Sequence, residues 1–336
     1  MSVNAPDATA SSDGTRTALN LLRRTYRPQV STLPGAGGLL GSVAAILLHV
    51  GIAIGAAALT ICLWRRSPMA AVIAYPAAVV VIATRMRALG NLLHECSHRT
   101  LVRDARINRS LGNVLSFLLF TDFATYTEEH LSHHRYLGDP VRDRDFATRR
   151  ALFARLGPFG PAYVRAALLL RFLPLYLRPV AWSKRDSALV RLARIGFLVG
   201  LAALAHEVIS WTALGAFYLV PYATAYQALC FWSDATDHAG AMSAADELGR
   251  SRNHLYDAAW LNWLVFPRND QYHLVHHIFP SVTTRNLPRV HAMLLADPGY
   301  ASMGHHLAVR PAAKLAHMPS GALRERPSQT TCDGGV

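Results

Sequence analysis

Long apolar stretches constrain this 336-residue chain more than any other feature, because they place much of it in a lipid bilayer. Residues 39–64 are almost uninterrupted apolar, and residues 69–84 are apolar again after a short break at 65–68. A helix needs about 20 such residues to cross a bilayer. Residues 195–232 form another long apolar block that can hold two shorter spans with a turn near 210–215. The pattern predicts an all-α integral membrane protein with four transmembrane helices in two hairpins.

Composition supports a membrane location over a nucleic-acid partner. The chain is 51% hydrophobic and 16% charged, with a net charge of +13 that comes mostly from arginine. A basic protein can contact nucleic acid or the anionic cytoplasmic leaflet, and the apolar stretches favour the leaflet. The four cysteines are scattered without a C-x-x-C pair, so neither a disulfide framework nor a zinc ribbon is expected.

The rest of the chain divides into tails and short amphipathic segments. Residues 1–37 are polar and arginine-containing and predict a flexible basic N-terminal tail without a secretory signal. Residues 38–310 form the predicted membrane domain, and residues 311–336 lack periodicity and predict a disordered tail. Residues 110–124 are too short to cross and fit an interfacial or re-entrant helix. Residues 160–182 mix apolar and basic residues, as a helix on the membrane surface does.

Half of the sixteen histidines fall into three clusters that read H-E-C-S-H, H-L-S-H-H and H-L-V-H-H. Histidines at i, i+3 and i+4 share one helix face, and neutral imidazole is the commonest metal ligand. Random placement would give roughly 0.04 copies of H-x-x-H-H, yet the chain has two. We therefore expect metal ligation by His94, His98, His130, His133, His134, His273, His276 and His277.

The number of imidazoles indicates two metal ions. A structural zinc needs four ligands and a catalytic zinc needs three, so eight imidazoles suit a pair of ions. Non-haem iron accepts imidazole and leaves positions open for oxygen. A soluble di-iron bundle would use a Glu from each of two helices and a Glu-x-x-His motif from each of two others, and that full pattern is absent from the sequence.

The order of spans and clusters places the histidines on one side of the membrane. The first cluster follows the second span, the second cluster precedes the third span, and the third cluster follows the fourth span. Lysine and arginine bias marks the cytoplasmic side, which predicts a cytoplasmic site with both termini inside, in a bacterial-type inner membrane. The arginines on that side are Arg23, Arg24, Arg27, Arg85, Arg87, Arg99, Arg103, Arg106 and Arg109, against Arg65 and Arg66 at the opposite turn.

The clusters and their neighbouring residues resemble the membrane fatty-acid desaturase/hydroxylase superfamily. The similarity includes Gly90-Asn91 before the first cluster, His134 to Pro140 after the second, and Tyr272 to Pro280 around the third, and it covers roughly residues 40–295. The resemblance implies a cytosolic helical cap over four spans, two non-haem iron ions, and O₂-dependent removal of hydrogens from a C–H pair. It implies no catalytic residue beyond the metal ligands.

The resemblance also suggests further ligands, a substrate class and a partner. His238 stands where the family has a ninth histidine, and Asp234, one turn earlier, is a candidate for reaching a metal through water. The implied substrate is a fatty-acyl or similar lipid chain. The sequence contains no haem segment, iron–sulfur cluster or dinucleotide fingerprint, so a separate donor such as ferredoxin with its reductase is expected. Desaturation is preferred, and hydroxylation or ketolation stays open.

Two rival functions start from the same residues. His94-Glu95-Cys96-Ser97-His98 also satisfies H-E-x-x-H, the zinc metalloprotease helix in which Glu is the general base. That reading leaves both H-x-x-H-H clusters unexplained, and a non-enzymatic scaffold explains no cluster. Asp139, Asp143 and Asp145 are candidates for orienting histidines or for a solvated loop. No role is assigned to the unclustered His49, His254, His291, His305, His306 and His317.

Overall fold

A computed structural model describes residues 11–145, 182–238 and 248–307, and these form a helical protein with one very small sheet. The predicted surface helix at 160–182 lies outside these residues except for its last position. The predicted C-terminal tail at 311–336 and His317 also lie outside them.

Within the described ranges, three helices are long and apolar enough to cross a membrane. Helix α2 (Leu39–Arg66) and helix α3 (Pro68–Ser97) pack along each other, and helix α6 (Ala188–Leu204) continues through one π-helical turn to Ile209. Pro68 suits the first turn of α3 because that position needs no hydrogen-bond donor. Much of their apolar surface is exposed, as expected of helices that contact lipid.

The helix ends before Ser210, whose φ of 80° is not helical. This position coincides with the turn predicted near residues 210–215. Residues 211–238 are then helical with two π-helical interruptions. This interrupted helix coincides with the predicted fourth span, and the four-span arrangement stays a prediction. Its parts are α7 (Trp211–Leu214), the π turns Gly215–Leu219 and Tyr222–Tyr226, and α8 (Gln227–His238).

Two helices after the first pair of spans bring the second histidine cluster onto α3. Helix α4 (Ala105–Leu118) and helix α5 (Phe123–Tyr136) replace the single short helix predicted at 110–124. The side chains of Asp104 and Asp122 cap them by accepting backbone N–H bonds. Gly112 allows the close contact between α4 and α5, since a Cβ there would lie 2.5 Å from the ring of Phe123.

The C-terminal region is made of short elements around the third cluster. Strands β1 and β2 pair in parallel. The elements are a 3₁₀ turn at Leu248–Arg250, β1 (Leu255–Tyr256), α9 (Ala259–Val265), a 3₁₀ turn at Pro267–Asn269, α10 (His273–Ile278), a 3₁₀ turn at Thr284–Asn286, α11 (Leu287–Leu294), α12 (Pro298–Ala301) and β2 (His306–Leu307).

The N-terminal segment differs from the predicted flexible tail. Residues Ser11–Val30 form helix α1. Its apolar face, which includes Leu19 and Leu22, packs in one buried cluster with α10 and α11. Arg23 donates hydrogen bonds to the carbonyls of His277 and Ile278 at 3.0 and 2.8 Å. The segment is an amphipathic helix, which its polar composition did not indicate. It is stabilised by packing onto α10, the helix that carries the third histidine cluster, and onto α11.

Candidate metal centre

Four helix ends deliver the predicted histidines to one region. The first cluster lies on the last turn of α3 and its cap, the second on α5, and the third on α10, while His238 ends α8. The structure brings all nine predicted imidazoles together in two groups. Within each group, the candidate ligand atoms lie within 4.8 Å of one another. The first group is His94, His98, His130, His134 and His276, and the second is His133, His238, His273 and His277.

In the first group the Nε2 atoms face one another across three separate chain segments. His130 Nε2 lies 2.8 Å from His98 Nε2 and 3.0 Å from His134 Nε2, and His276 Nε2 lies 3.0 Å from His134 Nε2. The ring of His94 lies 4.4 Å from that of His276. The ring of Tyr126 stacks parallel to His130 at 5.6 Å.

The second group shows which ring nitrogens carry lone pairs. The Nδ1 of His133 lies 3.0 Å from the carboxylate of Asp143, and the Nδ1 of His238 lies 3.0 Å from the carbonyl of Arg250. Both partners accept only, so each Nδ1 donates and each Nε2 of a neutral ring presents a lone pair. These two Nε2 atoms nevertheless lie 3.1 Å apart. Two converging lone pairs repel unless a cation lies between them.

The remaining members of the second group follow the same pattern. His273 Nε2 lies 2.9 Å from His238 Nε2 and 3.0 Å from His277 Nε2. Neighbouring nitrogens bound to one six-coordinate ion at about 2.1 Å would be about 3 Å apart. The observed separations therefore fit metal ligation, and the separation between His133 and His238 does not fit a hydrogen bond between two neutral rings.

The protonation state of the imidazoles also favours metal binding. Burial, followed by the neighbouring imidazoles, lowers the pKa of His130, His134 and His277 well below the ordinary value. The same two causes lower the pKa of His273 and His276. These rings are therefore neutral at pH 7, as metal ligands must be.

Carboxylates surround the second group without joining it. Within the described ranges neither group contains a carboxylate. Asp143 is one of the three acids that the sequence offered as candidates for orienting a histidine. Its carboxylate contacts His133 and also accepts a hydrogen bond from the backbone N–H of Gly138. Asp139 instead pairs with Arg142. The sequence analysis therefore included the residue that contacts His133 among its candidates but could not choose between Asp143 and the other two acids of the loop.

A second carboxylate, Asp237, was not predicted. One oxygen lies 3.5 Å from Nδ1 of His273, and the other lies 2.5 Å from Nε2 of His254, which is fully buried. His254, which had no assigned role, thus lies in the layer around the histidines. The position of Asp237 beside the predicted ligand His238 was the available signal.

An ion pair joins α3 to the loop before the third cluster. Arg87 donates to Asp270 at 2.6 Å and to the hydroxyl of Ser233 at 2.7 Å. Burial alone would raise the pKa of the Asp270 carboxyl, but Arg87 holds it below its usual range. The pair therefore consists of two charged groups.

Glu95, the base required by the zinc protease reading, is used elsewhere. Its carboxylate accepts two hydrogen bonds from the guanidinium of Arg268, at 2.5 and 2.8 Å, and is almost completely buried. Arg268 precedes the third cluster in the left-handed region, with φ of 67°. Glu95 thus links the first and third clusters, which argues against a role as general base.

A cavity of about 250 Å³ opens onto both groups of histidines. His94 and His130 of the first group and His133, His238 and His273 of the second contribute to its wall. The rest of the lining mixes polar and aromatic side chains, among them Arg87, Asn91, Phe120, Tyr222, Tyr226 and Asp234. Asp234 therefore lines the same cavity as the clustered histidines without belonging to either group.

The other unclustered histidines lie apart from both groups. His291 and His305 are buried with Tyr300, and His306 is exposed beside Asp257. His49 is buried on α2, between the spans.

Comparison with known proteins agrees with this geometry. The profile of the family described as "Fatty acid desaturase" matches residues 70–307. The chain is 30% identical over 256 residues to dihydrorhizobitoxine desaturase of Bradyrhizobium elkanii, covering 68% of this chain and 70% of that protein. It is also 30% identical to the sphingolipid delta(4)-desaturase/C4-monooxygenase of Bos taurus over 209 residues and of Homo sapiens over 203 residues. Those alignments cover 59% of this chain and only 58% of each relative.

Proposed function

The chain belongs to the fatty acid desaturase family and is an oxidoreductase embedded in the membrane, and on that premise we propose an O₂-dependent di-iron desaturase. Its reaction introduces a double bond into a fatty-acyl or similar lipid chain. The observation that carries the proposal is the convergence of nine imidazoles into two groups, with outer partners that leave the facing nitrogens of His133 and His238 as acceptors.

The first group would hold one iron and the second group the other, with Asp234 a candidate for reaching a metal through water. When bound, the two irons would supply activation of O₂ and removal of hydrogen from an unactivated C–H pair. A chain of the substrate lying in the cavity would contact histidine rings of both groups. The cavity thus limits which carbons can react, because only atoms at this wall reach the ligands.

The outer partners keep the ligands in one tautomer and orientation. Asp143 holds His133, the carbonyl of Arg250 holds His238, and Asp237 holds His273. Such partners fix ring orientation and raise the basicity of the ligand. The ion pair of Glu95 with Arg268 ties α3 to the loop that carries the third cluster, so the two iron sites keep their relative position.

Substrate and outcome are the finer parts of the proposal. One relative is named for dihydrorhizobitoxine and two for sphingolipids. Activity assays should therefore include substrates other than simple fatty-acyl chains. The second candidate is hydroxylation or ketolation by the same site. It is favoured by the sphingolipid relatives, whose name joins desaturase to monooxygenase.

For the membrane arrangement we propose four spans in two hairpins, with residues 211–238 as the fourth. The histidines and both termini lie on the cytoplasmic side of a bacterial-type inner membrane, under a helical cap. Within this arrangement residues 38–310 form the membrane domain. Cysteine labelling at residues 66 and 213 tests the orientation: both positions should react from the periplasmic side, and exclusion of the reagent at both contradicts it.

The electron donor is a separate acidic protein such as a ferredoxin, supplied by its reductase. Arg99, Arg106 and Arg109 are exposed near the first cluster and offer a cationic docking surface. Charge reversal by Arg106→Glu with Arg109→Glu should slow turnover at least tenfold at low salt. The matched control is Arg65→Glu with Arg66→Glu, an equal charge change at the opposite turn, which should leave turnover unchanged.

Metal analysis tests the central proposal. Purified protein should contain two irons per chain, and His238→Ala should reduce iron content and abolish turnover. His306→Ala, a change at an exposed histidine, should leave both unchanged. One zinc per chain would instead support the protease. Product formed under ¹⁸O₂ separates the two oxidative outcomes, because a retained ¹⁸O atom excludes simple desaturation.

A further inference from the structure

Helix α3 presents two different faces to two different cavities. Arg87, Gly90, Asn91 and His94 recur at helical spacing and line the cavity beside the histidines. Arg85, which precedes Arg87 by two positions, points about 200° away around the helix. It lines a second cavity together with the neighbouring residues Ile82, Met86 and Leu89.

The second cavity is apolar and lies between spanning helices. Its volume is about 420 Å³, and α2, α3 and the segment 201–218 form its walls. Val50, Ala53, Leu204 and Phe217 are representative of its lining. Besides Arg85, the polar groups that line it are His49 and Tyr218, and Tyr218 donates its hydroxyl to the carbonyl of Leu118 at 2.6 Å.

Arg85 is buried in this wall without a counter-charge. Its side chain is 1% exposed, and both terminal nitrogens lack a hydrogen-bond partner among the described residues. Nε contacts the hydroxyl of Thr84 at 3.3 Å, and the guanidinium stacks 4.1 Å above the ring of Trp263. Stacking satisfies the face of the guanidinium, but the N–H groups at its edge remain unsatisfied.

His49 adds a second polar group to the same cavity. It lies on α2, is buried, and its Nδ1 has no hydrogen-bond partner in the described part of the chain. A charged group buried without a partner is strongly unfavourable. An anion that accepts from Arg85 and contacts His49 would remove this cost.

We propose that this cavity binds an anionic lipid, with a carboxylate or phosphate head at Arg85 and an apolar chain along the cavity wall. Charge complementarity at Arg85 selects the head, and the apolar lining selects the chain. Trp263 and Trp260 on α9 are more than half exposed, as expected of residues at a membrane interface where lipid heads lie. Basic pockets between spanning helices are known lipid-head sites.

The site is distinct from the metal centre. The two cavities lie against opposite faces of α3, and none of the described residues lines both. The inference therefore does not depend on the proposed desaturation: the lipid would bind whether or not the histidines hold iron. Its occupant is a bound lipid and not the molecule undergoing reaction.

Native mass spectrometry of the full chain in dodecyl maltoside tests the site. Palmitate, phosphatidylglycerol and the uncharged methyl palmitate are added separately, and bound molecules are counted. One saturable anionic lipid per chain is expected, with no saturable ester. Saturation by palmitate alone identifies a fatty acid, and saturation by phosphatidylglycerol identifies a phospholipid head. Saturation by neither anion, or equal binding of the ester, overturns the proposal.

Variants provide an independent arm. Arg85→Gln should weaken lipid binding by about ten- to a hundredfold, the value of a charge-assisted hydrogen bond, and Arg85→Lys should retain much of it. Arg289→Gln, a change at an exposed arginine that lines neither cavity, should leave lipid binding unchanged. Unchanged binding by Arg85→Gln overturns the site. Iron content should stay at the wild-type level in Arg85→Gln, and a parallel loss of iron would assign Arg85 to the metal centre instead. The comparison of palmitate with its ester uses unmodified protein, so it decides even if a variant misfolds.

Discussion

Arg85 and Arg87 are two residues apart on α3, yet they have opposite surroundings. Arg87 faces the histidine side and is neutralised by Asp270 and bonded to Ser233. Arg85 faces an apolar cavity and has no acidic partner among the described residues. On one face of the helix an arginine is thus a structural tie to another segment, whereas on the other face an arginine keeps N–H groups available for a ligand. The difference depends on whether the protein supplies the anion.

Removing Arg87 should produce the largest effect on stability. Arg87→Met leaves Asp270, whose side chain is only 14% exposed, without its counter-ion, which should lower the free energy of unfolding by up to about 3 kcal/mol. Thermal unfolding in nonionic detergent measures the change. Arg142→Met breaks the exposed pair with Asp139 and should lower the stability far less, because solvent screens an exposed pair. Equal losses in the two variants would show that burial does not distinguish these pairs.

A substitution at Asp143 tests whether metal binding by the histidines depends on the carboxylates that contact them. Asp143→Asn removes the charge that orients His133 and should weaken metal binding by about ten- to a hundredfold. Iron retained after graded chelation is the measurement. Asp139→Asn is the matched control, since Asp139 lies in the same loop but pairs with Arg142. Iron loss of equal size in both variants would point to loop unfolding instead of ligand orientation.

Arg85 should respond with the opposite sign from Arg87. In nonionic detergent free of anionic lipid, Arg85→Leu removes an unneutralised buried cation and should raise the free energy of unfolding by about 1 kcal/mol, after allowing for the lost stacking on Trp263. Added phosphatidylglycerol or palmitate should stabilise the wild type and not the variant. If Arg85→Leu is destabilised as strongly as Arg87→Met, the two faces do not differ as described.

The convergence of the clustered histidines could be predicted because their spacing repeats within single helices. His130, His133 and His134 are neighbours on one helix face whatever the tertiary fold. Their outer partners could not be predicted in the same way: Asp270 is far from Arg87 in sequence, and only the folded chain brings them together. For the same reason the different surroundings of Arg85 and Arg87 could not be predicted. In the sequence both residues simply follow the apolar stretch 69–84.

The N-terminal helix shows another limit of the sequence. Residues 11–30 are polar enough to suggest a tail, and an isolated helix of this length is marginal in water. The helix is stabilised by packing against α10 and α11, where Leu19 and Leu22 are buried and Arg23 bonds to the carbonyl of His277. Conversely, the spans followed directly from their apolar length, since a bilayer imposes that length on any crossing helix.

Acid should reveal the smallest difference between the two faces. Because Arg87 holds the pKa of Asp270 below its ordinary 3.8, the stabilisation from this carboxylate is complete above that value and is lost as the pH falls through the folded pKa. The stability gap between wild type and Asp270→Asn should therefore be constant from about pH 7 to pH 5 and shrink below about pH 4. Unfolding temperatures at matched detergent and salt measure the gap.

The gap between wild type and Arg85→Leu should stay constant over the same acidic range. Arg85 remains cationic there, and none of the residues described around its cavity is a carboxylate. A gap for Asp270→Asn that already narrows between about pH 7 and pH 5 would mean that Asp270 is protonated near neutrality. Arg87 would then be no better neutralised than Arg85, and the contrast between the two faces of α3 would have to rest on apolar packing alone.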